Sequence, residues 1–217
     1  MELYYHLYNR GVDKRIIFQD NFDRQRFVDT FRLARLSNSP KLSWLKKQVK
    51  IGNISSIDLE NLEEKYAPPL LDIIAYSIMP NHFHFQIKEL IEGGVSKFFQ
   101  KLGTSYTMYF NVRHERTGRL FESKYKSVLI ETDEQLIHLS RYIHANPFNS
   151  SKIDISLKQL RTYPWTSLPD YLGTRKQPFC DPTEVMAFFS SPDDYWKFLK
   201  GTVKEEVLPS NLLLDPG

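Results

Sequence analysis

The sequence predicts an α+β fold in which helices pack on a mainly antiparallel sheet. Three observations carry that expectation. Leu70 to Met79 (LLDIIAYSIM) is an apolar, isoleucine-rich run of strand length. Pro80-Asn81 turns the chain directly into His82 to Ile87 (HFHFQI), whose alternation is that of a second strand, and so short a link favours antiparallel neighbours. The flanking segments then read in the order strand, helix, strand, strand, helix, strand, helix, which is an α+β sandwich.

Taken in chain order, Tyr4 to Tyr8 is aromatic and strand-like until Asn9-Arg10-Gly11 breaks it. Asp20 or Asn21 can cap a helix reaching about Leu36, with Phe22, Phe27, Phe31 and Ala34 on one side. Residues 37–69 turn polar, with Ser, Asn, Gly and Pro punctuation, and read as an insertion between core elements. After Gly93-Gly94 a long helix runs from Val95 to about His114, and Tyr125 to Glu131 is a further strand. Thr132 and Gln135 fit a capping box for the next helix, in which Leu136, Ile137, Leu139, Ser140 and Ile143 form the apolar side. Pro147 is expected to end that helix by driving Asn146 toward extended geometry. Tyr163-Pro164-Trp165 is a loop, and short helices start at Asp181-Pro182 and Ser191-Pro192. The expected organisation is one domain over 1–168, carrying the 37–69 insertion, followed by a small helical extension over 169–217.

Composition is that of an ordinary globular chain, with 41% hydrophobic and 25% charged residues. No apolar run approaches the roughly eighteen residues of a membrane span, and the amino terminus lacks a signal-peptide layout. The single cysteine, Cys180, offers neither an internal disulfide nor a metal-binding cysteine pair. A cytoplasmic protein with no membrane partner is expected.

The net charge of +3 names no ligand, but its distribution is uneven. Between Ser96 and Lys126 lie Lys97, Lys101, Arg113, Arg116, Arg119, Lys124 and Lys126, against only Glu115 and Glu122. Phe98, Phe99, Tyr106, Tyr109, Phe110, Phe121 and Tyr125 are threaded through the same stretch. Bases for phosphates and rings for unpaired nucleobases suit single-stranded nucleic acid. A solvated helix face with its rings in the core is the other reading.

The chemistry-bearing residues fall in two places. His82 and His84 are two apart on a strand and therefore face the same way, able to converge on one metal ion, while Phe83 and Phe85 face a core. Histidines that merely meet solvent or bond locally would show the same pattern. In the capped helix, Tyr142 and Asn146 are four apart and share a stripe, with His138 one turn earlier. Such a stripe is either an exposed face or, if the helix packs on the sheet, a buried one needing partners. An amide oxygen is a fitting third ligand beside two imidazoles.

Met79-Pro80-Asn81-His82-Phe83-His84 together with Tyr142-Ile143-His144-Ala145-Asn146-Pro147 resembles the HUH-superfamily single-tyrosine transposases, the insertion-sequence-200-like group, and most of all its REP-associated branch. Further agreement lies in Tyr5-His6-Leu7-Tyr8-Asn9-Arg10-Gly11, in Gly118-Arg119-Leu120-Phe121 followed by Lys124-Tyr125-Lys126, and in Tyr163-Pro164-Trp165-Thr166-Ser167. The resemblance spans about residues 4 to 167, omitting 37–69. It implies a ferredoxin-like HUH palm, with Tyr142 as nucleophile and His82, His84 and Asn146 as ligands of Mg²⁺ or Mn²⁺. It also implies single-stranded or hairpin DNA as partner, cut and rejoined through a 5′-phosphotyrosine. Arg10 joins the seven bases above as a DNA contact, His138 or a metal-linked water is the candidate base, and the chain acts as monomer or homodimer. Two other readings stand beside it. One is a domesticated DNA-binding regulator of the same fold without strand transfer. The other is a metal-dependent hydrolase that makes no covalent intermediate.

Overall fold

The computed structural model describes residues 2–40, 66, 68–150 and 153–201. Four strands form a single antiparallel sheet, β1 (Leu3–Arg10), β2 (Leu71–Met79), β3 (His82–Glu89) and β4 (Lys126–Ile130), in the spatial order β2-β3-β1-β4. β2 and β3 are joined by the tight Pro80-Asn81 turn and pair from Met79↔His82 outward. Helices cover both faces, so the molecule is α+β in three layers.

The strand alternation assigns the faces. Leu7, Ile78, Phe83, Phe85 and Ile87 point to one side, where α1 (Asn21–Ala34) and α2 (Gly94–Arg113) bring Phe27, Phe31, Phe98, Leu102 and Tyr106 against them. Burial of so many rings stabilises the packing of these helices on the sheet. The opposite side carries Ala75, Ile74 and Ile130, which pack with Leu136, Leu139 and Ile143 of α3 (Asp133–Asn149). Register slips between Ile73 and Ala75, and this bulge lets Ile73 face the first core while Ile74 and Ala75 face the second.

Short helices α4 (Leu157–Leu160), α5 (Leu168–Tyr171), α6 (Thr183–Met186) and the longer α7 (Pro192–Lys200) complete the second core with Leu160, Leu168, Tyr171, Val185, Tyr195, Trp196 and Leu199. The part of the extension described, up to residue 201, is thus built into the packing around α3. Trp165, Thr166 and Ser167 run along the outer edge of β2, with Ile78 donating to the Trp165 carbonyl at 2.9 Å and Ser167 to Tyr76 at 3.0 Å. That cover removes an otherwise exposed sheet edge.

Caps follow the expected chemistry at α1 and α7, whereas α6 begins at Thr183 with Pro182, not Asp181, in the cap position. Asp20 accepts from the Asp23 amide to start α1, and Ser191 accepts from Asp194 to start α7. Thr132 likewise accepts from the Gln135 amide, but Gln135 reaches back to the Glu131 N–H at 2.8 Å, one residue past the Thr132 N–H of a reciprocal box. Pro147 does not end α3, which continues to Asn149 with Pro147 buried inside it. Proline here removes one bond in the last turn, where few intrahelical bonds remain to lose, and Asn146 stays helical. Most of the 37–69 block, 41–65 and 67, lies outside the described residues, but its ends meet: Leu36 bridges Pro69, and Ser37 donates to the Pro68 carbonyl at 3.2 Å. No helix among the described residues is long and apolar enough to cross a membrane.

Candidate active site

The second sheet face has a polar end. His6, Tyr8 and Arg10 on β1 alternate toward α3 and stand opposite Gln86, His84 and His82 of β3. His6, His84, Gln86 and Ser77 are wholly buried there, so each polar group needs a partner. Gln86 donates to the Leu136 carbonyl of α3 at 2.8 Å. His84 Nδ1 meets His6 Nε2 at 3.0 Å, and the two rings stack with centroids 5.2 Å apart.

His82, at the start of β3, is fixed from behind. Asn81 Nδ2 donates to the Lys14 carbonyl at 3.2 Å, which directs Asn81 Oδ1 at His82 Nδ1, 2.8 Å away. His82 therefore carries its proton on Nδ1, and in the neutral ring Nε2 presents a lone pair. That nitrogen faces Asn146 Oδ1 of α3 at 3.2 Å. Two acceptors held face to face in this way suit a cation that both can ligate. His84 has the same preparation: burial, then the neighbouring His82 and His6, push its pKa well down, and its Nε2 is buried with no hydrogen-bond partner. A neutral imidazole with one nitrogen secured and the other bare is the usual state of a metal-binding histidine. Octahedral ligands about 2.1 Å from a divalent ion stand about 3 Å apart, close to the His82–Asn146 spacing. Among the described residues no three His, Cys, Asp or Glu side chains gather around one point. The donor set here is instead two imidazoles and one amide.

Tyr142 enters from α3 over the same ground. Its ring stands edge-on to His84 with centroids 5.4 Å apart, and to His6 at 6.2 Å. Helical pitch puts Tyr142 and Asn146 on one stripe, and packing of Leu139 and Ile143 into the second core aims that stripe at β3. His82, His84, Tyr142 and Asn146 thus meet within one chain. His138, one turn earlier, packs its ring against Phe198 of α7 at 5.1 Å, and burial lowers its pKa.

The eight basic positions divide. Arg10 pairs in register with His82, and Lys126 pairs with Tyr8 and lies 5.7 Å over its ring, so both sit on the Tyr142 face. Arg10 Nε bonds Glu122 at 2.9 Å. Arg119 and Lys124 line a cavity of about 760 Å³ with Phe99, Thr107 and Tyr125, beside α2. Lys97 is exposed on α2, in the opposite layer. Lys101 is engaged by the Leu36 and Ser37 carbonyls at 2.6 and 2.8 Å, and Arg113 by Asp20 and Asp23 at 2.6 and 2.5 Å. Arg116 bonds Asn111 at 2.6 Å and the Arg119 carbonyl at 3.1 Å.

Several residues around the site stand in the sequence motifs without a role attached to them. His6 is one, known from the sequence only by its place in the Tyr5–Gly11 motif. Asn9 ties the 118–125 loop down by donating to the Ser123 and Lys124 carbonyls at 3.0 and 2.9 Å. Gly11 donates to the Asn81 carbonyl at 2.8 Å, and a Cβ there would press on the Arg15 carbonyl and come within 2.7 Å of Ile17. On the far side of α3, His144 is wholly buried, held neutral by a pKa pushed down to about 3 by that burial.

No curated protein matches this chain. Among solved structures, it is similar to a REP-associated tyrosine transposase bound to a REP hairpin, at 12% identity over 87% of this chain and 90% of that one, with a TM-score of 0.48. The family model described as "Transposase IS200 like" matches residues 46–146, which hold β2, β3, α2, β4 and α3 as far as Asn146. Through residues 46–146 the chain is similar to the IS200-like transposases.

Proposed function

We propose that this protein cuts and rejoins single-stranded DNA flanked by a hairpin, with Tyr142 as the nucleophile. The observation that carries the reading is the meeting of Tyr142 and Asn146 on α3 with His82 and His84 on β3. The similarity of residues 46–146 to the IS200-like transposase model supports DNA as the substrate.

His82, His84 and Asn146 would hold a divalent ion, Mg²⁺ or Mn²⁺, which when bound offsets the charge that a phosphodiester gains on attack. The remaining steps belong to the chain. Tyr142 supplies its phenol oxygen to phosphorus; a new oxygen–phosphorus bond forms and the bond to the 3′ oxygen breaks. The phenol proton leaves to a base, since a tyrosine of ordinary pKa near 10 is a weak nucleophile until deprotonated. The departing 3′ oxygen takes up a proton, and the 5′ phosphate stays on Tyr142. Because the tyrosyl ester keeps the phosphodiester's free energy, a 3′-OH can reverse the step without ATP. Arg10 and Lys126, on the same face, would hold the flanking phosphates.

The test is incubation with end-labelled hairpin single-stranded DNA and Mn²⁺, followed by a denaturing gel. A protein–DNA band that survives denaturation is the expected result. Cleavage without that band would instead favour a metal-dependent hydrolase, and binding without cleavage a regulator of the same fold.

A further inference from the structure

α3 is held on its back by a buried chain of hydrogen bonds that the proposed reaction does not use. His144 follows Tyr142 by two residues and precedes Asn146 by two, so at about 100° per residue it points roughly opposite to both. Its ring nitrogens are both taken. Nε2 lies 2.7 Å from Ser167 Oγ, in the segment along the β2 edge, and Nδ1 lies 2.6 Å from the Tyr195 hydroxyl of α7. Tyr195 in turn lies 3.0 Å from Ser140 Oγ, which donates to the Ile137 carbonyl at 2.7 Å. Ser167 Oγ accepts the Tyr76 amide at 2.9 Å. Tyr195, Ser140, His144 and Ser167 are all wholly buried.

Contact lengths select one arrangement: Ser167 Oγ lies 2.7 Å from His144 Nε2 but 3.4 Å from the Tyr76 carbonyl, so its hydrogen goes to the ring. Ser140 spends its hydrogen on Ile137, so it accepts from the Tyr195 O–H. Tyr195 then accepts from His144 Nδ1–H, and His144 Nε2 accepts from the Ser167 O–H. The chain runs without a break from the β2 backbone to the backbone of α3, and every hydroxyl and ring proton along it is used.

We infer that Tyr195, acting through His144, sets the rotation of α3 and thereby the aim of Tyr142 and Asn146, making it a positioning residue for the strand cleavage proposed above. The inference rests on that reading of the site. The lever is long: a phenol oxygen about 8 Å from the helix axis moves roughly 1.5 Å when the helix turns by about 10°. Displacements of about 1 Å suffice to slow reactions a hundredfold.

Single-turnover adduct formation on labelled hairpin single-stranded DNA with Mn²⁺, run well below the melting temperature, tests it. Tyr195→Phe is expected to lower the rate constant about tenfold, with adduct amplitude and DNA affinity held within about twofold. Ser167→Ala should act in the same direction, and it carries the test if Tyr195→Phe does not fold. The double variant should be no slower than the slower single, because both act through His144. A parental rate in the variants, a fall in amplitude with the rate constant kept, or rate effects that multiply would each overturn the inference. Separately, long-range ¹⁵N–¹H spectra of histidine-labelled protein should show His144 protonated on Nδ1; protonation on Nε2 overturns the chain whatever the DNA assay gives. A parent that forms no adduct, with the Nδ1 tautomer intact, would instead defeat the proposed function.

Discussion

His6 Nε2 lies 3.0 Å from His84 Nδ1, and both rings are wholly buried beneath α3. The contact secures one nitrogen of His84 and leaves the other bare, so His6 acts on the candidate metal site from behind. His6→Ala should weaken Mn²⁺ binding by about 10–100-fold, the usual effect of losing such an outer partner. Calorimetric titration of the folded variant checks this. Parental affinity would show that His84 needs no such support.

Tyr142→Phe removes only the hydroxyl and keeps the ring beside His84. Adduct formation should fall below detection, a loss of at least about a thousandfold, while hairpin DNA still binds. Robust cleavage by this variant would assign the nucleophile elsewhere.

Lys126 and Lys101 carry the same charge but different duties. Lys126 is exposed on the Tyr142 face, and its removal should reduce the salt dependence of single-strand affinity by roughly 0.7 in slope. Lys101 caps the carbonyls at the end of α1. Lys101→Ala should cost about 1–2 kcal/mol of stability and leave that slope unchanged. Affinity measured across a salt series, beside thermal melts, separates the two; a reversed pattern would mean that DNA follows the α2 layer.

Asp20 pairs with Arg113 at 2.6 Å, and the guanidinium holds its carboxyl well below the usual carboxylate range. A depressed folded pKa contributes stability above the unfolded value of about 4, and that contribution fades as pH falls from there toward the folded value. Asp20→Asn keeps a good helix cap, so it isolates the charge. The variant should melt about 2–4 °C lower at pH 7, a modest shift because the pair is partly exposed. The gap should narrow below about pH 4. A gap that stays constant down to pH 2 would show that charge is not its source.

The local half of the site was open to sequence reading because it depends on short-range periodicity. A strand repeat of two puts His82 and His84 on one side, and a helical pitch of 3.6 puts Tyr142 above Asn146. Neither inference needs to know what lies across from the element. The expected end of the helix at Pro147 went astray for a related reason. A proline's local preference is weak in a last turn, and burial of Pro147 in α3 outweighs it.

Charge is a different matter. A sequence shows the charges of Lys101 and Arg113 and not the partners they take within the chain. α1 folds against α2; Leu36 and Ser37 just beyond it supply carbonyls to Lys101, and Asp20 and Asp23 at its start supply carboxylates to Arg113.

The sequence by itself determined which residues could do chemistry and which of them share a strand or helix face, because those relations span a turn or less. Only the tertiary structure decided that β1 inserts between β3 and β4, bringing His6 behind His84, and that α7 returns to pin α3 through Tyr195. Those partners are 78 and 51 residues apart in the chain, and packing in the two cores, which no local pattern encodes, brings them together.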